Sequence, residues 1–600
     1  MGTVLTLIGE RTGYPLEMIE PDVDLEADLS VDSIKRAEIS GELLATFASP
    51  DLRFADADVD ELAKRRTARA MVEWISVRTS SKPSVREQPP KVHSTPELPA
   101  GSPPQRFVLE PVRISPSTMD SPSMLNGLRL AIVGDTDGVL AAAVATALAA
   151  CGAEPLVGVE QENLAGCAGI IDLGPLLSPV VEIDRVALDG IEWALPAGLP
   201  ALKKALAGSP RWLLTVTART TGGAVSRHAG LRGLFRSVAR EYPDVTTRLV
   251  EVDPAQPTDL LATVIVTELL AADSAPVVVA DGGERRAWEM VQAPLGALAG
   301  VGAGPAGEGA AEAAAIGLGP DSVVLLVGGA RGIAARFAET LQAASGCRIE
   351  LIGRTALPVG PEDAATAGAG ELAGLRAALV AQGHRSAAEV DRMARRILAE
   401  REVAQTVDEL LGKGATVRYH CADVRDEDAI RRIVKDIHAE YGRLDGVIYA
   451  AGVIEDRLLA DKDQESFRRV FETKVDGALA LLRALREEGP AQPGFLVSFG
   501  SIAAALGNRG QADYAAANDA MESMGAAWAA HTGGRVLTVH WGPWAPAGRH
   551  GGMVSAELGR DYAQRGIDLI DPEEGVLSLL RELAWGEPAV RSVVYTASGW

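Results

Sequence analysis

Six hundred residues are more than one hydrophobic core serves, so two to four domains are expected. A net charge of −23 excludes nucleic acid as a partner, because binding phosphates requires a basic surface. Cys151, Cys167, Cys347 and Cys421 lie far apart without metal-ligand spacing, and no apolar run reaches the ~18 residues of a membrane span. A reducing, cytoplasmic setting is therefore expected, with no metal, no disulfide framework and no membrane partner. No basic segment followed by an apolar one opens the chain, so no signal peptide is expected.

Residues 1–79 read as a compact helical unit: Leu5, Ile8, Met18, Ile19, Leu25, Leu29, Ile34, Ile39 and Leu43 recur at helix-compatible intervals. Pro and Ser crowd residues 80–105, an extended linker that supplies reach rather than packing. From residue 106 the pattern turns to strand–helix alternation. "LRLAIVGDTDGVLAAAVATALAACGAEPLVGV" (128–159) is an apolar strand, a Gly-containing turn, a helix and a second strand. "SVVLLVGGARGIAARFAETLQAASGCRIELIGRT", from Ser322, repeats the plan, and small residues at 293–319 join the two. The expected fold class is α/β, a small helical bundle followed by two Rossmann-like doubly wound lobes, 106–315 and 316–600.

"DLEADLSVDSIKRAEI" (24–39) places Ser33 after Asp32 at the start of a predicted helix, its hydroxyl exposed and an amphipathic surface behind it. Alone, such a pair also reads as a helix N-cap. The longer segment 11–39 resembles the acyl carrier domains of polyunsaturated-fatty-acid synthases and polyketide synthases, and residues 51–75 fit the last helices of that family. The resemblance implies a four-helix carrier domain over 1–79, with 4′-phosphopantetheine on Ser33. A phosphopantetheinyl transferase would install the arm, and its thiol would hold an acyl thioester substrate.

In "VVLLVGGARGIAA" (323–335), Gly328 and Gly332 let the backbone approach a pyrophosphate at a helix N-terminus. The spacing, with Gly329, Arg331 and Ile333 in the same turn, resembles the short-chain dehydrogenase/reductase loop. Val327 stands in place of the usual Thr, and Ala334 in place of the last Gly. After the second strand an NAD enzyme offers an acid to the ribose; this chain offers Arg354, with Arg331 in the loop. Two guanidinium groups suit a 2′-phosphate, so NADPH is the expected cofactor. By the same resemblance Asp423 and Val424 contact the adenine, and Ala450, Ala451 and Gly452 lie beneath the nicotinamide. The earlier turn at 134–138 has no such company, and residues 230–253 resemble the truncated, non-catalytic lobe that precedes the active lobe of polyketide ketoreductases.

Carbonyl reduction needs a hydride donor, a proton donor and a cation to bring a phenol, with its ordinary pKa of ~10, into a useful range. "SFGSIAAALGNRGQADYAAAND" (498–519) supplies Ser501 and Tyr514 at the spacing of the ketoreductase signature. Ordinary short-chain reductases carry Lys four residues after the Tyr, where this chain has Asn518. In synthase ketoreductases those roles are exchanged, and "FETKVDGALALLRAL" (471–485) provides Lys474 in the matching place. The resemblance implies that Tyr514 protonates the carbonyl oxygen and Ser501 hydrogen-bonds to it. Lys474 would lower the Tyr pKa and touch the ribose, and Asn518 would order a water relay. "VIEDRLL" (453–459) resembles the Leu-Asp-Asp motif of ketoreductases giving the D (3R) alcohol, with Asp456 as the retained acid and Ile454 and Glu455 as departures. Leu506 stands where the opposite class has Trp.

Residues 356–410 exceed a simple strand–helix link, and 386–411 are amphipathic and helical in pattern. Two roles fit them: docking another domain, or covering the sheet. The expected activity is NADPH-dependent reduction of a β-ketoacyl thioester held on the Ser33 arm. The alternatives are a carrier-plus-scaffold module with an inactive reductase lobe, and a short-chain dehydrogenase running in reverse. No ketosynthase, acyltransferase or dehydratase signature is present, so those domains of the same synthase are expected partners.

Overall fold

The computed structural model describes most of residues 1–79 and 101–598; residues 80–100, 115–120, 183–192, 297–308 and 547–561, with shorter stretches elsewhere, are not described. The chain divides into two compact units. The first gathers Met1–Glu97, Thr355–Asp408 and Asp456–Asp461, and the second Leu98–Arg354, Glu409–Glu455 and Lys462–Trp600.

Four helices build the start of the first unit: α1 (Gly2–Thr12), α2 (Ser33–Phe47), α3 (Asp56–Ala63) and α4 (Ala68–Thr79). Their apolar positions recur three and four residues apart, so each helix turns one stripe inward. Ile8, Ile19, Leu25, Leu29, Ile39 and Leu43 meet Leu62, Met71 and Trp74 in one buried cluster. Met18 and the Ile34 side chain lie outside the described residues. Arg36 reaches from α2 to the carbonyls of Ala63 (3.1 Å), at the end of α3, and of Val31 (3.3 Å), ahead of α2.

Among the described residues the second unit is built on one continuous 15-stranded sheet. Its strands are β1 (Gln105–Arg113), β2 (Arg129–Val133), β3 (Glu154–Val157), β4 (Gly169–Asp172), β5 (Trp212–Ala218), β6 (Thr246–Val252), β7 (Val277–Asp281) and β8 (Glu284–Gln292) in the first lobe. The second lobe contributes β9 (Val323–Val327), β10 (Arg348–Gly353), β11 (Val417–Cys421), β12 (Gly446–Tyr449), β13 (Phe495–Ser501), β14 (Arg535–Trp541) and β15 (Ser592–Thr596). Across the sheet the order is β11-β10-β9-β12-β13-β14-β15-β1-β8-β7-β6-β5-β4-β2-β3. The second lobe thus has the full parallel doubly wound order, reversing between β9 and β12. The first lobe repeats that plan one strand short among the described residues, reversing between β2 and β4. β1 seals the two halves, pairing antiparallel with β15 on one side and β8 on the other. Gln105, at the end of the stretch read as linker, already pairs with Thr596.

Four further helices position the chemistry: α5 (Gly332–Ser345) after β9, the pair α6 (Leu372–Ala381) and α7 (Ala387–Gly412) between β10 and β11, and α8 (Gln464–Glu487) after β12. α9 (Ala512–Thr532) follows β13. The pair α6–α7 falls almost wholly within the first unit. Among the described residues no helix is long and apolar enough to cross a membrane.

Candidate active site

The strand–turn–helix from β9 to α5 follows from its glycines. Gly328 has φ +81°, a left-handed value that L side chains rarely adopt, and a Cβ there would lie 2.8 Å from the Ala451 backbone nitrogen. Its N–H donates to the Ile352 carbonyl at 2.7 Å, and Ala450 donates to the Val327 carbonyl at 2.8 Å. The loop is therefore laced to both neighbouring strands. Gly332 opens α5 with φ +57°, and a Cβ there would meet nothing within 4 Å. Arg331, the residue before it, makes no side-chain cap. A helix N-terminus reached through such a glycine turn suits the pyrophosphate of a dinucleotide. Ala334, where the family pattern has Gly, is buried along α5.

The corresponding turn of the first lobe is closed. Asp135 turns its carboxylate onto the first turn of the helix Val139–Ala150, accepting from Gly138 N at 3.0 Å and Ala141 N at 2.7 Å. A carboxylate of the chain itself sits where a phosphate would go. Gly134 packs against the Asp172–Gly174 turn so closely that a Cβ would lie 2.3 Å from the Gly174 nitrogen.

At the edge of the second lobe Arg354 is exposed, and its positive charge helps hold Asp423 below the usual carboxylate range, after a larger contribution from Arg425. Arg425 pairs with Asp423 at 2.8 Å. Val424 is buried against α8, where a Cβ on Gly477 would touch it at 2.7 Å.

Ala450, Ala451 and Gly452 leave β12 beside Lys474, which projects from α8 with its stem 3.1 Å from where a Gly452 Cβ would stand. Lys474 is 2% exposed, and its Nζ donates to the Phe499 carbonyl of β13 at 2.7 Å. Burial pulls its pKa down to about 7. The same Nζ lies 5.6 Å from the ring centroid of Tyr514, on the first turn of α9. Ser501 ends β13 and caps the short helix Ile502–Leu506, its Oγ accepting from Ala503 N at 3.2 Å. Four residues on from Tyr514, Asn518 donates through Nδ2 to the Tyr514 carbonyl at 2.7 Å, and its Oδ1 is buried without a protein partner. The second lobe thus gathers the glycine turn, the end of β12, Lys474 and Tyr514 in one run of contacts. Asp456 belongs to a segment that clusters with the first unit, although Glu455 and Lys462 on either side of it belong to the second. Ser33 opens α2.

Several supports were not singled out in the sequence. His540 bridges the Ser501 carbonyl (3.1 Å) and Glu522 (2.7 Å), holding the end of β13 to α9. Lys462 and Asp513 form a fully buried ion pair at 2.5 Å, one residue before Tyr514. From the first lobe the helix Leu231–Glu241 lies against α9 and the 502–510 segment. Arg236 donates to the Ala504 carbonyl at 2.6 Å, and Glu241 accepts from Gly510 N at 2.9 Å. Asp513 stands inside the quoted segment 498–519, and Arg236 and His540 inside segments read only as a non-catalytic lobe and as the approach to a lid; nothing local signalled the partners of the last two.

A doubly wound sheet with a left-handed glycine at the reversal of strand order, joined to a four-helix bundle, defines the class: a nucleotide-binding fold carried with a small helical domain. Comparison with known proteins agrees. Residues 322–546 match the family described as KR domain, and residues 2–75 match Phosphopantetheine attachment site. A polyunsaturated fatty acid synthase polypeptide of Thraustochytrium sp. is 25% identical over 98% of this chain, which spans 22% of that protein. Polyketide synthase PksN of Bacillus subtilis is 31% identical over 36% of the chain, which spans 4% of it. The structure of PlmKR1, a ketoreductase from the first module of phoslactomycin biosynthesis in Streptomyces sp. HK803, superposes with a TM-score of 0.57 at 20% identity, covering 83% of this chain and 94% of that one. The chain thus joins a phosphopantetheine-attachment domain to a KR domain, an acyl carrier–ketoreductase didomain like those of type I polyketide synthase-like megasynthases, with 4′-phosphopantetheine and NADPH as the cofactors these two domains imply.

Proposed function

We propose that this didomain reduces a β-ketoacyl thioester, carried on a phosphopantetheine arm at Ser33, to the D (3R) β-hydroxyacyl thioester. The observation that carries the reading is the approach of Lys474 Nζ to within 5.6 Å of the Tyr514 ring centroid, deep in the lobe that bears the Gly328–Gly332 turn. NADPH, when bound, supplies the hydride that forms the new C–H bond at the β-carbon. Gly328, Gly329, Gly332 and Ile333 would hold its pyrophosphate. Arg331 and Arg354 would take the 2′-phosphate, Asp423 and Val424 the adenine, and Ala450, Ala451 and Gly452 the nicotinamide side.

Tyr514 gives its phenolic proton to the carbonyl oxygen as the C=O π pair becomes an O–H bond. Ser501 donates a hydrogen bond to that oxygen while charge develops on it. In its protonated form Lys474 stabilises the phenolate left on Tyr514. The unpartnered Oδ1 of Asn518 is an acceptor that an ordered water would satisfy, which suits a relay returning a proton from solvent. Asp456 would set the face from which the ketone is reduced. The first lobe, its helix end occupied by Asp135, takes no nucleotide in this reading and serves as a buttress. A phosphopantetheinyl transferase and ketosynthase, acyltransferase and dehydratase domains are the implied partners.

The test follows NADPH absorbance with a small β-ketoacyl thioester in the intact chain and in Tyr514→Phe. Turnover lost by a factor of about 10² or more, with folding and NADPH binding retained, supports the assignment. Folded, NADPH-binding protein that never turns over points instead to a carrier-plus-scaffold module.

A further inference from the structure

We propose that the inserted pair α6–α7 is a docking station for the carrier domain of this same chain, gripping it by the C-terminal end of α1. The contact lies within the first unit and involves buried groups from both partners. Arg376, on α6, is 4% exposed; it hydrogen-bonds Asp391 of α7 through Nε at 3.0 Å and also donates to the Thr12 carbonyl. Thr12 is the last residue of α1, and the final carbonyls of a helix have no partner within it. A side chain of the insertion therefore completes the carrier's first helix. The positive guanidinium also meets the negative end of that helix dipole.

Tyr14 completes the grip. Its ring lies 4.3 Å beneath the Arg376 guanidinium, and its hydroxyl donates to the Ala387 carbonyl, at the first residue of α7, at 3.4 Å. Ala387 itself packs on the carrier's hydrophobic cluster. Arg over Tyr, closed off by an acid from the arginine's own side, is the composition of an interface centre rather than of a domain core. The pair also has its own small core of Leu375, Leu379, Val390 and Ala394, so it can present Arg376 as a preformed surface.

This contact answers why the reductase chain is interrupted between β10 and β11. Coverage of the sheet would bury apolar residues of α6–α7 against strands; here Arg376 and Ala387 turn to the carrier. The grip uses Thr12 and Tyr14, whereas Ser33 opens a different helix, so docking and loading involve separate parts of the carrier. A tethered partner needs little intrinsic affinity, because the linker keeps its effective concentration high. The carrier can then leave the station for other sites without new energy input. This inference goes beyond the reductase reading and stands whether or not the second lobe turns over.

Hydrogen exchange of the intact chain, read by mass spectrometry, tests it with one substitution on each partner. Arg376→Gln should speed exchange at the last turn of α1 on the order of tenfold. Tyr14→Leu, which keeps an apolar side chain in the carrier core, should speed exchange at 387–391 by a similar factor while β9, β12 and β13 stay protected. Effects crossing in both directions support the station. No change at 387–391 in Tyr14→Leu overturns it, including the case in which Arg376→Gln merely unfolds α6–α7.

Discussion

Lys462 and Asp513 form an ion pair of 2.5 Å in which neither side chain reaches solvent, and Asp513 immediately precedes Tyr514. Lys462 also donates to the Glu455 carbonyl at 2.7 Å, so one ammonium fastens Glu455 to the start of α9. Removing either partner strands a buried charge. Lys462→Met should destabilise the second unit by about 3–5 kcal/mol, whereas Lys462→Met with Asp513→Asn should recover most of that loss. Urea unfolding of the single and double variants checks the cycle, and kcat should fall in both because the Tyr514 backbone loses its anchor.

Lys474 gives a pH signature. Burial lowers its pKa from 10.5 to about 7 in the folded chain, so the unfolded chain binds this proton more tightly. The penalty for burying it is complete below pH 7 and fades as pH rises toward 10.5. Lys474→Met should therefore raise the melting temperature of the cofactor-free protein most at pH 6 and less at pH 9. In the same variant thioester reduction should drop by about 10² or more, a separation of stability from function that calorimetry and NADPH absorbance would show together.

The first lobe should control catalysis without touching substrate. A Cβ on Gly233 would stand 2.2 Å from the Ala515 carbonyl oxygen, a backbone atom next to Tyr514. Gly233→Ala must push the helix Leu231–Glu241 off α9, costing about 1–3 kcal/mol. Thermal unfolding should register that loss. Steady-state kinetics should show a lower kcat with the KM for NADPH little changed, since the glycine turn lies elsewhere in the second lobe.

Cofactor preference should rest on two cations. Arg331→Ala and Arg354→Ala should each weaken NADPH binding by about 10- to 100-fold, the worth of a charge-assisted hydrogen bond, while leaving NADH affinity nearly unchanged. Fluorescence titration with both nucleotides decides it. Equal losses for the two would place the arginines away from the 2′-phosphate.

Much of this was legible in the linear order of residues, because the signals are local. A glycine turn between an apolar strand and a helix, and Ser501 and Tyr514 on either side of "IAAALGNRGQAD", need only a few consecutive residues to be recognised. The alternation from residue 106 carried the doubly wound fold, because period and turn chemistry act within each element.

What the tertiary structure decided are relationships between residues distant in sequence. Lys474 belongs with Tyr514 only because α8 and β13 bring its ammonium to the Phe499 carbonyl. That the two lobes share one sheet depends on β1 pairing with β15 almost 500 residues away, since backbone N–H and C=O groups seek partners without regard to side-chain identity. Arg236 bracing the 502–510 segment and Arg376 capping α1 are each single polar side chains. Their sequence neighbours hold no hint of the partner, because a buried charge is satisfied by whatever the fold places against it.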